Sequence, residues 1–384
     1  MEGEIVLNKN EQYKLRIIDE FRFGKISRAQ AAMLLGLSER TISRLARKVR
    51  VKGVAGIKHG NSKNTPHNQI DQRVYSQIIE LLKNRYHGFN LVHANEKLID
   101  LEGIKLSYSS LWRIARSNQI GKVKKRRKAK NHIIRERMAE QGMLLQMDGS
   151  PHKWNGKDIW CLILAIDDAT SNIPYAEFFK SETTFNCMKV LGEIIKSKGI
   201  PQALYVDRAG WSGGGKRTQF SQFTRACDEL GSRIIFANSA QAKGRVERSF
   251  KTMQDRLISE LRLNNITSML EANFYLQKVF LPQYWNKRLA VEPRSKECRY
   301  QKVAASKDLT QILCKKHNRQ VRSNLTISYG NRYYKVKKSQ NQPMKGKYVE
   351  IREYPDGTWS VYYRQQQIEV EKVIMPKNYY SRYA

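Results

Sequence analysis

Three apolar runs decide the fold: Met143-Leu-Leu-Gln-Met147, Ile159-Trp-Cys-Leu-Ile-Leu-Ala-Ile166 and Pro174-Tyr-Ala-Glu-Phe-Phe179. Each is short, and turn signals separate them, Asn155-Gly156 after the first and Asp167-Asp168 after the second. They read as strands joined by hairpins. The period then changes. A helix is predicted from Thr183 to Ser197, with Phe185, Met188, Val190, Leu191, Ile194 and Ile195 apolar. A strand at 203–206, a helix over 220–230, a strand at 233–236 and a long helix from about Lys243 to Leu261 follow. Three strands and then alternating helix and strand make a mixed sheet with helices on its faces.

That order is the one the ribonuclease H-like α/β fold uses, and residues 141–290 are assigned to such a core. Upstream the pattern is helical. Ser27 and Gln30 form a capping-box pair before one short helix. Gly36 follows, and Ser38 precedes a second helix, Glu39 to Val49, with Ile42, Leu45 and Val49 on one face. Two short helices with a tight turn between them suit a helix-turn-helix DNA-binding domain over residues 1–60. Its DNA-facing candidates are Arg40, Thr41, Ser43, Arg44, Arg47 and Lys48. Gly53 to Pro66 reads as a linker. Helical segments over 71–83, 93–101 and 107–117 make residues 66–120 a second helix-turn-helix or winged-helix domain, with Ser107 capping its last helix. Residues 121–140 form a basic linker. Short alternating strands at 325–329, 332–336, 348–352 and 359–363 suggest a small, all-β, barrel-like domain over 320–384.

Charge narrows the partner. The chain has 384 residues, with 70 Lys and Arg against 35 Asp and Glu, a formal net charge of +35. Such an excess points to a polyanion, most often nucleic acid. Part of it falls in Lys122, Lys124, Lys125, Arg126, Arg127, Lys128 and Lys130, which suits phosphate contact. The longest apolar run, eight residues at 159–166, falls far short of the roughly 18 a membrane span needs. Met1-Glu-Gly-Glu lacks a basic, apolar leader. The five cysteines are scattered with no CxxC pair, so neither a zinc knuckle nor a disulfide framework is implied, which fits a reducing cytoplasm.

Three carboxylates carry the chemistry. Asp148 is placed at the end of the first strand, Asp207 at the end of the fourth, and Glu247 near the start of the long helix. The intervals are 59 and 40 residues. Hard oxygen donors without Cys or His favour Mg²⁺ or Mn²⁺, and a pair of such ions can activate a nucleophile and stabilise the leaving oxygen of a phosphodiester. Val246, Phe250, Met253 and Leu257 form a buried stripe with Glu247 at its rim. Lys243, Arg245, Arg248 and Lys251 surround it with charge suited to DNA.

Other motifs carry less. Gly210-Trp-Ser-Gly-Gly-Gly-Lys216 starts like a P-loop, but Arg217 stands where a Mg²⁺-binding Ser or Thr belongs. Turn chemistry accounts for Asp167 and Asp168, with Asp168 a weak site candidate. Glu182 follows Ser181, a plausible N-cap, and suits the helix dipole there. His152 reads as a turn histidine near Asp148, Trp154 and Trp160 as packing residues, and Trp211 as a possible stacking surface for an unpaired base.

The stretches Gln146-Met-Asp-Gly-Ser-Pro-His152, Ala165-Ile-Asp-Asp-Ala-Thr170, Tyr205-Val-Asp-Arg208, Ala240-Gln-Ala-Lys-Gly-Arg-Val-Glu-Arg248 and Gln254-Asp-Arg-Leu-Ile-Ser-Glu-Leu-Arg262 resemble those of the DDE transposases of bacterial insertion sequences. These carry an integrase-type (rve) core, and the resemblance is to the ISNCY-type family. It runs from the N-terminal helices to at least Asn286. It implies a ribonuclease H-like core whose triad falls on Asp148, Asp207 and Glu247, binding to the terminal inverted repeats of a mobile element, and at least a dimer on DNA. One departure is Arg208-Ala-Gly-Trp-Ser-Gly-Gly-Gly215, where a shorter turn with an aromatic contact is expected.

The sequence therefore predicts a transposase acting on double-stranded DNA, both element ends and target, with two Mg²⁺ or Mn²⁺ ions, in the bacterial cytoplasm at the nucleoid. A DNA-binding regulator with a non-catalytic core would have no reason to keep the three acids. A ribonuclease H-like nuclease without strand transfer would not need two helix-turn-helix units.

Overall fold

The computed structural model describes residues 6–59, 69–121, 135–207, 222–236, 244–337 and 343–374. The chain divides into two compact units, residues 1–76 and 77–384.

The first unit is helical. Helices α1 (Lys9–Arg22), α2 (Arg28–Leu35) and α3 (Glu39–Lys52) bury Ile17, Ile18, Ala31, Ile42 and Val49 against one another. Ser27 caps α2 with Gln30 returning the bond, the expected capping box, and Ser38 caps α3. Gly53 does not open the linker expected there. Gly53–Ile57 is a short 3-10 turn that buries Gly56 and Ile57. A Cβ on Gly56 would lie 2.4 Å from the Lys48 carbonyl oxygen, so only glycine lets this turn close against α3. The remainder of that linker, residues 60–66, lies outside the described residues.

Helix α4 (Gln72–Lys83) leads to α5 (Leu91–Asp100) and α6 (Tyr108–Ser117) in the second unit. Ser107 caps α6 as expected. Next comes a five-stranded sheet, order β3-β2-β1-β4-β5: β1 (Leu145–His152), β2 (Trp160–Asp167), β3 (Tyr175–Phe179), β4 (Ala203–Val206) and β5 (Arg233–Phe236). The first three strands are antiparallel neighbours, while β1–β4 and β4–β5 are parallel. Helices α7 (Thr184–Lys198) and α8 (Gln222–Leu230) cover one face, burying Leu145, Met147, Ile163, Met188, Leu191, Phe223 and others. Helix α9 (Gly244–Leu263), α10 (Met269–Tyr275) and a π-helical stretch, Leu276–Trp285, cover the other. This mixed sheet with helices on both faces fits a ribonuclease H-like core. Trp154 and Trp160 are buried in it, as expected.

The helical segment 91–100 is joined to α9 by polar contacts. His93 Nε2 donates to Glu260 at 2.6 Å, Lys97 pairs with the same carboxylate at 2.7 Å, and Arg256 pairs with Glu96 at 2.7 Å.

Beyond the core, α11 (Asn286–Arg288) and α12 (Leu309–Ile312) precede two small sheets. One joins β6 (Lys315–Gln320), β9 (Tyr348–Glu353), β10 (Trp359–Tyr363) and β11 (Gln366–Ile368). The other joins β7 (Thr326–Tyr329), β8 (Arg332–Val336) and β12 (Val370–Val373). Strands β6, β11 and β12 escape the sequence reading because their exposed charged and amide residues mask any alternation. Among the described residues no helix is long and apolar enough to cross a membrane.

Candidate active site

Asp148 was expected at a strand end, yet it is the fourth of eight residues in β1 and pairs with Leu164 of β2. The β1–β2 hairpin carries the strand on to His152, opposite Trp160, while pairing with β4 stops at Gln146–Tyr205. Continuing that parallel register by two residues sets Asp207, the residue after β4, at the level of Asp148. The interval of 59 residues is thus the register of the two strands. Alternation along β1 turns Leu145 and Met147 to the α7 face, so Asp148 falls on the α9 face.

Glu247 lies exposed in the first turn of α9. Two hydrogen bonds fasten this helix along β1. The Val246 N–H donates to Gln146 Oε1 at 3.2 Å, and Gln254 Nε2 donates to Ser150 Oγ at 3.3 Å. Glu247 and Gln254 are seven residues apart, two turns of one helix face. The face that carries Glu247 is therefore the one that reaches β1, and Asp148 lies between the two anchors.

Among the described residues, no three His, Cys, Asp or Glu side chains are gathered to hold a metal ion. Residues 208–221 after Asp207 and 237–243 before α9 lie outside the described residues, and with them Lys243, Trp211 and the glycine-rich 208–215 stretch. The donor chemistry nevertheless suits a hard cation. Burial, then the charge of Glu182, pushes the Cys161 thiol up to about 12. Burial, then Glu182 and the other acids of the site, raises Cys187 as well. Both cysteines lie in the cluster on the α7 face, so on the α9 face carboxylate oxygens are the donors.

Glu182 has a different place from the one expected. Thr183, not Ser181, caps α7, accepting the Asn186 N–H at 3.2 Å. The Glu182 carboxyl instead packs on the backbone of Gly149, the residue after Asp148, where a Cβ would stand 2.6 Å from its carboxyl carbon. A glycine directly after the first acid was the available signal. His152 lies on β1 with its ring 5.5 Å from Trp154.

Asp168 lies in the turn after β2, as expected, but its side chain does more than a turn requires. It is fully buried. It accepts bonds from Gln146 Nε2 at 2.7 Å, Arg245 Nε at 2.8 Å, the Met138 N–H at 2.9 Å, and Arg135. Arg245 also donates to the Arg135 carbonyl at 3.1 Å. Arg248 and Lys251 are exposed on α9.

On α3, Arg40, Ser43, Arg44, Arg47 and Lys48 are exposed. The Thr41 hydroxyl instead lies 2.8 Å from that of Ser38 at the helix cap. Lys122, Lys124, Lys125, Arg126, Arg127, Lys128 and Lys130 lie outside the described residues.

No family model matches the chain. It is 32% identical over 368 residues to a Sinorhizobium fredii protein named as transposase y4bF, covering 94% of this chain and 80% of that one. It is 31% identical over 369 residues to the transposase for insertion sequence IS1202 of Streptococcus pneumoniae, covering 85% of this chain and 78% of that one. Among solved structures, the HTLV-2 integrase catalytic core in complex with magnesium is 19% identical and covers 36% of this chain and 89% of that one, with a TM-score of 0.28. That likeness is too low to argue from. The two sequence relatives span most of their own length at over 30% identity, and the chain belongs to the transposases of insertion sequences.

Proposed function

We propose that this transposase binds the terminal inverted repeats of its element, cuts DNA there by metal-dependent hydrolysis, and joins the exposed 3′-hydroxyl to target DNA, with Asp148, Asp207 and Glu247 as its acids. One observation carries the reading: the bonds from Val246 to Gln146 and from Gln254 to Ser150 lace α9 to β1 on either side of Asp148, with Glu247 on the helix face so held.

Asp148, Asp207 and Glu247 would hold Mg²⁺ or Mn²⁺, two ions in this reading. Such ions would supply activation of the attacking water or 3′-hydroxyl and stabilisation of the leaving oxygen. The protein contributes rigidity. Parallel neighbours β1 and β4 hold two carboxylates at fixed spacing, and the third comes from a helix pinned to the same strand. Arg245 is engaged by Asp168, so phosphate contact near the acids falls to Arg248 and Lys251, with Lys243.

Exposed Arg40, Ser43, Arg44, Arg47 and Lys48 make α3 the recognition helix of a helix-turn-helix. Helix α6 presents Tyr108, Trp112, Arg113 and Arg116 as a second DNA-facing surface. The run Lys122 to Lys130 adds phosphate contacts. Bringing two element ends together requires a homodimer or larger assembly on DNA, in the cytoplasm at the nucleoid.

The test is strand transfer with element-end DNA and Mg²⁺, comparing wild type with Glu247→Gln. The expected result is a loss of joining of about 100-fold or more with end binding intact. Joining at the wild-type rate would overturn the triad.

A further inference from the structure

We propose that Asp168 is a positioning residue for DNA cutting: it locks together, through Gln146 and Arg245, the strand that carries Asp148 and the helix turn that carries Glu247. The inference rests on the triad reading above and extends it to a residue that never touches DNA.

The two side chains that grip Asp168 from the site come from different elements. Gln146 lies two residues before Asp148 on β1, and Arg245 two residues before Glu247 on α9. Gln146 is itself fully buried and uses both ends of its amide. Its Nε2 donates to Asp168 at 2.7 Å, and its Oε1 accepts the Val246 N–H at 3.2 Å. Arg245 closes the circuit with its Nε on the same Asp168 oxygen at 2.8 Å. Strand, helix turn and buried carboxylate thus form one ring of hydrogen bonds.

Turn chemistry does not explain this acid. Its neighbour Asp167 already serves the turn, accepting from the Thr170 N–H at 2.9 Å, the Thr170 hydroxyl at 3.0 Å and the Gly142 N–H at 2.8 Å. A buried charge that is not needed for the turn is costly to keep. Here every donor that compensates Asp168 is at least 22 residues away in sequence. Such outer partners fix reacting groups within the fractions of an ångström that catalysis requires.

The experiment uses the full chain and element-end duplexes. Gln146→Met keeps the volume and removes both amide bonds. Asp168→Asn and Arg245→Met remove the charge pair, and Arg245→Lys restores a cation. We measure kcat and KM for end cutting, the Mn²⁺ concentration at half-maximal rate, Mn²⁺ bound by electron paramagnetic resonance, and the melting temperature. The expected result for Gln146→Met is a 10- to 100-fold fall in kcat, unchanged KM for DNA and a several-fold rise in the Mn²⁺ midpoint. Arg245→Lys should recover part of what Arg245→Met loses. An unmoved Mn²⁺ midpoint overturns the proposal, whether kcat is normal or falls only in step with the melting temperature. Asp148→Asn and Glu247→Gln run alongside. If these two cut normally, the triad reading fails. If they are inactive while Gln146→Met is normal, only the positioning role fails.

Discussion

Gln146 on β1 accepts the backbone N–H of Val246 on α9 at 3.2 Å, a contact spanning 100 residues of chain. It joins the carriers of the first and third acids. It also leaves one helical N–H, which would otherwise lack a partner in the first turn of α9, satisfied from within the sheet.

Gly149 leaves room for Glu182. A Cβ there would stand 2.6 Å from the Glu182 carboxyl carbon and 2.7 and 2.9 Å from its oxygens. Gly149→Ala should cost about 1–3 kcal/mol of stability and slow end cutting. Combining it with Glu182→Ala should recover part of both losses, since coupled neighbours do not add. Denaturant unfolding of the single and double variants measures this, and strictly additive losses would rule out the clash.

Glu260 makes stability acid-sensitive. Burial by itself would raise its pKa, but bonds from His93, Lys97 and Tyr275 outweigh it and hold the carboxyl at about 2. A depressed folded pKa gives stability that is present above the unfolded value of about 4.5 and lost as pH falls through about 2. The contribution is about 3 kcal/mol. Unfolding free energy should therefore fall across that window in wild type. The fall should be shallower in Glu260→Gln, which is also destabilised at neutral pH by about 3–5 kcal/mol for leaving Lys97 without its buried partner. Equal slopes in the two proteins would refute the assignment.

Arg44 lies exposed on α3. Arg44→Ala should weaken binding to element ends by about 1–3 kcal/mol while sparing random DNA, the mark of a base contact. Fluorescence anisotropy across a salt series checks it. An equal loss on both DNAs, with the salt slope reduced by about one, would make Arg44 a phosphate contact instead.

Thiol reactivity should be single. Cys298 is exposed, whereas Cys161, Cys187, Cys227 and Cys314 are buried, and burial raises all four buried thiols above their ordinary range. Native protein treated with a maleimide should take one label quickly, at Cys298, and five after denaturation. Peptide mass mapping reads the site, and rapid labelling at Cys187 would contradict the packing of α7 on the sheet.

Local pattern was enough for the core. The apolar runs, their turns and the later alternation locate five strands and the helices on their faces, because strand and helix periods are written into neighbouring residues. The N-caps Ser27, Ser38 and Ser107 were equally legible, since a cap bonds within three residues. The C-terminal edge strands were not, because exposed strands need no apolar alternation.

The candidate site divides in the same way. Sequence alone singled out Asp148, Asp207 and Glu247 by residue type, order and element, and the two 30%-level relatives bear out the family to which those motifs pointed. Tertiary structure decided three further things: that the 59-residue interval is a strand register, that Glu182 lies on Gly149, and that Asp168, within its turn, is also a buried anchor. The reason is physical. Asp167 and Asp168 look alike in sequence because both can serve a turn. Asp167 finds most of its donors within three residues, while those of Asp168 lie 22, 30, 33 and 77 residues away, and no local pattern records a partner that only folding brings near.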